Sequence, residues 1–215
     1  MSPSTPFVLA LRSGARVHSF ADGCRAAALD FVNRVALAGD KTVLADWLRG
    51  PYRQHAVVLA RSQTRRMGAA SVVPDALARL LGRARLEVGL GLMRVRDAVD
   101  GVGFGYSAIS AGHVYRCQDA EGTAGWVPVA QPRMRLSERV LSLVAADYLL
   151  RPEAYETSLV TCSVCGRASF DSDRMDAGTC AEHAQDVRPV LESDIRELAG
   201  AGPWRQPERS AAGRR

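Results

Sequence analysis

Apolar residues between Ala21 and Leu37 recur at three- and four-residue steps: Cys24, Ala27, Ala28, Phe31, Val32 and Val35. That spacing predicts one packed helix. Gly39-Asp40 stops it, and Asp40 is placed to cap a shorter helix over Lys41–Leu48 that ends at Gly50-Pro51. Pro74 fits the first turn of a helix over Asp75–Arg83, with Leu77, Leu80 and Leu81 on one side. Another helix is expected from Ser137, its cap, to Leu150, with Leu136 and Leu141 as a hydrophobic staple and Pro152 closing it. Strand-like runs lie between these segments. Pro6–Phe20 reads as two short strands about a turn at Arg12-Ser13-Gly14, and His55–Ser62 as a buried strand. His113–Cys117 and Trp126–Ala130, joined through Asp119–Gly122, read as a hairpin. Gly89 and Gly91 leave Leu86–Val95 without a clear period, while Thr64–Val73 and the glycine-rich Gly101–Gly112 read as loops.

Helices and strands mixed without strict βαβ alternation predict an α+β fold. The expected organisation is a main domain over 7–157 and a small C-terminal zinc-binding module over 158–200, flanked by disordered ends at 1–6 and 201–215. Pro189 divides the module's helical part, and Val190, Leu191, Ile195 and Leu198 give a final helix its apolar side before Gly200. No internal repeat is visible.

The densest chemistry lies in that module. Cys162-x2-Cys165, fourteen residues, then Cys180-x2-His183 is two close pairs of ligands suited to one tetrahedral Zn²⁺. Gly166 supplies the permissive backbone a metal knuckle needs. Thr179-Cys180-Ala181-Glu182 reads as a capping box, so a helix is expected to start at Cys180 and to carry Cys180 and His183 on its first turn. A positive helix terminus there favours thiolate over thiol. Competing readings are unrelated core cysteines, a CxxC redox pair (which lacks its βαβ context), or an iron–sulfur site with one histidine.

A knuckle, a short extended piece (Arg167–Phe170), a polar loop and a second ligand pair resemble the treble-clef and zinc-ribbon class of small zinc modules. The resemblance covers about thirty residues and implies a metal site at Cys162, Cys165, Cys180 and His183, with no particular activity. This sequence departs from that class in the loop between the pairs, which is short and acidic (Asp171, Asp173, Asp176).

Composition narrows the setting. With 47% hydrophobic and 24% charged residues, the chain has material for a real core. No apolar run approaches the ~18 to 20 residues of a membrane span. Phe7–Leu11 has neither the cationic start nor the cleavage site of a secretory signal. Five cysteines, three of them in a metal-like arrangement, fit a reducing interior, so a cytoplasmic location is expected.

The net charge of +5 raises a nucleic-acid reading. Lys41 is the single lysine, so the excess is arginine in an alanine- and glycine-rich chain, a pattern that coding bias also produces. The module is acidic, with Arg167, Arg174, Arg188 and Arg196 against eight acids over 158–199. Positive charge concentrates instead between Arg61 and Arg96. There Arg61, Arg65 and Arg66 on a loop and Arg79, Arg83 and Arg85 on a helix are candidate phosphate or nucleic-acid contacts. The competing reading is a solvated face, and no aromatics are interleaved for base stacking.

Catalytic signatures are absent from the pattern. Gly101-Val-Gly103-Phe-Gly105 lacks the third glycine and the lysine of a phosphate loop. His113 and Cys117 on a strand lie ~13 Å apart, too far to act as a nucleophile pair. Cys24 is expected in the core, and His18 and His55 on half-buried strands. The leading expectation is therefore a non-enzymatic cytoplasmic protein with structural zinc, acting through protein–protein contacts. Nucleic-acid binding braced by zinc is the alternative, and an enzyme would need a pocket at Gly101–Gly112.

Overall fold

A computed structural model describes residues 8–11, 14–57, 74–131, 133–162, 164–171, 179–180 and 182–183. The element order is β1 (Leu9–Ala10), α1 (Val17–Asp30), α2 (Lys41–Trp47), α3 (Pro74–Arg96), α4 (Ala98–Ser110), β2 (Val114–Gln118), β3 (Ala124–Pro128), α5 (Leu136–Tyr148), α6 (Pro152–Ser158), β4 (Val160–Thr161) and β5 (Ala168–Ser169). Helices dominate and the sheets are small, which agrees with the expected α+β class at that level.

The first helix forms where its period placed it. Cys24, Ala27 and Ala28 are buried on α1, and the helix runs on through a π-type stretch, Phe31–Val35, and Ala36–Ala38. Gly39 ends it at φ +65°, a left-handed position that suits glycine. The Asp40 carboxylate then caps α2, accepting from the Thr42 and Val43 amides at 2.6 and 3.0 Å. Pro51 does not end this region as expected. A second π-type stretch, Leu48–Tyr52, contains it and leads into Arg53–His55. A widened turn tolerates a residue with no N–H to donate.

Three other stretches depart from the sequence reading or resolve it. The second N-terminal strand is instead the start of α1, whose first amide, Val17, donates to the Asp119 carboxylate 102 residues away at 3.1 Å. Leu9–Ala10 is a strand, but it pairs in parallel with β2 (Leu9 with Cys117) rather than with its own neighbour. Secondly, the ambiguous stretch Leu86–Val95 is the second half of α3, a 23-residue helix. Thirdly, the glycine-rich Gly101–Gly112 stretch is mostly helix, α4, capped by Asp97 through the Val99 and Asp100 amides, both at 2.9 Å.

The hairpin is present, with β2 and β3 antiparallel and Arg116 opposite Trp126. His55 closes a short helical turn, and of the expected strand only 55–57 is described, with Val57 in one parallel bridge to Val129. α5 begins at Leu136, so Ser137 lies inside the helix, where it donates to Glu87 of α3 instead of capping. Pro152 opens α6 in addition to following α5.

α5 is the central element, buried from Ser142 to Tyr148. α1, α3, α4 and β3 pack around it, and their side chains form one main core with Phe31, Trp47, Leu81, Val88, Leu143 and Tyr155. Ala168 of β5 belongs to the same core. The C-terminal hairpin is therefore seated on the helical body. The expected loop 64–73, the helix over 190–199 and both chain ends lie outside the described residues.

Candidate metal centre

β4 and β5 form a two-stranded antiparallel ladder, Val160 opposite Ser169 and Thr161 opposite Ala168. The chain turns at its end through Cys162–Arg167. The Cys162 amide donates to the Arg167 carbonyl and the Gly166 amide to the Cys162 carbonyl, both at 2.8 Å. Gly166 sits at φ +67°, so the knuckle uses the one residue there that takes this conformation without strain. The turn brings Cys162 and Cys165 to one side.

The second pair follows after fourteen intervening residues in the sequence. The His183 amide donates to the Cys180 carbonyl at 2.8 Å, which closes a turn containing Glu182 and His183. The helix expected from Cys180 is not formed at these residues, and its continuation falls outside the described ones. An Arg167–Glu182 ion pair at 2.5 Å straps the two halves together.

All four side chains converge. The three sulfurs and one histidine ring nitrogen lie within 4.8 Å of one another, so the group can hold a metal ion. Cys165 and Cys180 sulfurs are 3.7 Å apart, and His183 Nδ1 lies 3.8 Å from the Cys162 sulfur and 3.0 Å from that of Cys180. Ligands about 2.3 Å (sulfur) and 2.0 Å (nitrogen) from a tetrahedral zinc stand roughly 3.8 Å apart as S···S and roughly 3.5 Å as S···N. A disulfide needs about 2.05 Å, and all five cysteines are free. Cys162 and Cys180 are buried, while Cys165 and His183 are half-buried.

The sulfurs compete for negative charge. Burial opposes ionisation of Cys162, but the amides of Cys165, Cys180 and Val164 outweigh it and lower the thiol to about 6. Burial pushes Cys165 up to about 11, and the neighbouring sulfurs add to the rise. Cys180 is lowered because its bond to His183 overcomes burial, and His183 is raised by the same bond. One thiolate thus suppresses the next, a conflict that a divalent cation between them removes.

Two distant residues hold this site to the body, and nothing local in the sequence marked either for that role. The Arg85 guanidinium of α3 donates to the Cys165 carbonyl. Asn33, in the π-type stretch after α1, clasps Ala168 through both backbone groups at 2.8 and 2.9 Å. Phe170 then inserts beside Tyr155 (ring centroids 4.8 Å) and under the Arg25 guanidinium at 4.2 Å.

The arginine cluster divides. Arg79 and Arg83, one turn apart, are exposed on α3, with Arg83 paired to Glu87 at 2.9 Å. Arg85 is half-buried and turned toward the knuckle instead. Arg61, Arg65 and Arg66 lie outside the described residues. Cys24 and Cys117 are buried in apolar surroundings, which raise both thiols. His18 is exposed on α1 rather than on a strand. Trp47 is core, donating its indole N–H to the Ala27 carbonyl at 3.0 Å. Among the described residues no helix is long and apolar enough to cross a membrane.

Comparison with known proteins finds no matching family, no similar curated protein and no similar solved structure.

Proposed function

We propose that Cys162, Cys165, Cys180 and His183 bind one structural Zn²⁺, and that the chain is a non-enzymatic cytoplasmic protein acting through protein–protein contacts. The convergence of three sulfurs and a ring nitrogen at tetrahedral spacing carries this reading. Three soft ligands and an imidazole favour zinc over hard cations. Four protein ligands leave no open position for a water nucleophile, so the ion braces rather than catalyses. The resemblance of the ligand spacing to treble-clef and zinc-ribbon modules agrees with that role. The glycine-rich segment on which an enzymatic reading would rest is a helix packed on α5 and not a loop.

Metal analysis of the purified chain is expected to give one zinc per protein, reduced severalfold by Cys180→Ser. Cobalt substitution should give the intense visible bands of a tetrahedral thiolate site. A metal-free protein, or the broad absorption of an iron–sulfur cluster, overturns the assignment. A salt titration against generic DNA and RNA tests the mode of action. Absence of binding at low salt supports protein contacts, whereas measurable affinity lost steeply with salt returns the nucleic-acid reading.

A further inference from the structure

α4 is apolar around most of its circumference, and the described residues cover only one side. Gly101, Phe104, Gly105 and Ala108 are buried there, the two glycines lying against Tyr148 and Leu149 at the end of α5. Val99, Val102, Tyr106 and Ile109 occupy another side and are 81%, 70%, 72% and 39% exposed. Their steps of three, four and three residues are those of a seam between two packed helices. Asp100 is the one charged residue of α4, and it lies off this seam.

The stripe has the size that a dimer requires. With side chains of roughly 150 to 230 Å² each, these exposures amount to roughly 500 Å² of apolar surface, near the upper end of what a monomer leaves open. A standard interface takes about 800 Å² from each partner, of which about 65% is apolar in homodimers. That proportion is again about 500 Å².

We propose that Val99, Val102, Tyr106 and Ile109 form the seam of a homodimer, with α4 packed antiparallel on its copy about a two-fold axis. A two-fold interface must be complementary to itself, and an uncharged seam meets its own image without like-charge opposition. Antiparallel helices also set each positive terminus beside the other's negative one. With the axis at the level of residue 104 along the helix, Val102 faces the partner's Tyr106 and Val99 the partner's Ile109. The Tyr106 hydroxyl stays at the wet rim. The assembly does not depend on the metal centre.

Light scattering coupled to gel filtration on the full chain tests it, across micromolar concentrations. The expected species has twice the 23.1 kDa chain mass. Val102→Glu and Tyr106→Glu each weaken dimerisation about tenfold or more. Both positions are exposed, so circular dichroism of the monomeric variants should remain near wild type, with the thermal midpoint lowered only by the lost association; Tyr106→Ser provides a milder variant with the same direction. Leu90→Glu, on the exposed face of α3, leaves the dimer intact. Mixing the Val102→Lys and Tyr106→Glu chains restores a dimer, since each lysine then faces a glutamate. A monomeric wild type, a dimer that survives Val102→Glu, or one broken by Leu90→Glu overturns the proposal.

Discussion

Asp147 is a carboxylate with no exposed surface, and three groups satisfy it. Arg25 Nε donates at 2.6 Å and the Tyr155 hydroxyl at 2.8 Å, while Arg151 bonds the other oxygen and also Asp22 at 2.7 Å. Burial, with Asp147 behind it, holds the Tyr155 hydroxyl in its protonated form and so keeps it a donor. Removing one member of a buried charge set strands the others. Asp147→Ala is therefore expected to cost about 3–5 kcal/mol in urea unfolding, and Asp147→Asn less, because the amide still accepts one bond. Asp119 acts at the surface. The Val17, Thr123 and Glu121 amides, Val17 foremost, hold its carboxyl below the usual carboxylate range. A depressed carboxyl contributes stability above its unfolded value, and that stability disappears as pH falls through the folded value. The thermal midpoint should thus fall on acidification below about pH 4, with Asp119→Asn flattening that limb. An unchanged profile in the variant would show that the α1–hairpin tie is inert.

At the scale of elements, glycine has two meanings that composition does not separate. Gly101 is obligatory: a Cβ there lies 2.3 Å from the Tyr148 hydroxyl, and the Tyr148 ring is held by edge contacts with Phe104 and Tyr155. Gly89, also helical, has nothing within 4 Å of its would-be Cβ. Gly101→Ala should therefore destabilise by about 1–3 kcal/mol through overpacking. Gly89→Ala should stabilise by about 0.5–1 kcal/mol through helix propensity. Denaturant midpoints of the two variants check the contrast, and matching signs would defeat it. Propensity alone had made both segments non-helical or ambiguous. Tertiary packing selects Gly101 and Gly105 of α4, and it does so through residues more than forty positions away.

For the whole molecule, the question is whether the metal centre is an appendage or a clasp. Asn33 holds Ala168, Arg85 holds the Cys165 carbonyl, and Phe170 fills a slot beside Tyr155. Folding energy that a metal bound at the site would supply would therefore reach the helical body. We expect a chelator, or Cys162→Ser, to lower the thermal midpoint followed by helical circular dichroism. Asn33→Ala should leave zinc content intact while shrinking that shift. If chelation leaves the helices untouched in the wild type, the knuckle is energetically separate from the body.

That Cys162, Cys165, Cys180 and His183 come together was legible from spacing, because each pair is short-range and two tight turns dictate its geometry. The same holds for α1, for α2 with its Asp40 cap, and for the β2–β3 hairpin, all governed by neighbours a few residues apart. Other features were decided by contacts that no local window contains. β1 crosses to a strand 108 positions on, Ser137 serves Glu87 instead of a helix end, and glycines fit α4 to α5. Arg85 left a presumed basic face to brace the knuckle. Local order follows from backbone stereochemistry and side-chain period, while these pairings depend on which surfaces meet after collapse, when close packing and the satisfaction of buried polar groups set the outcome.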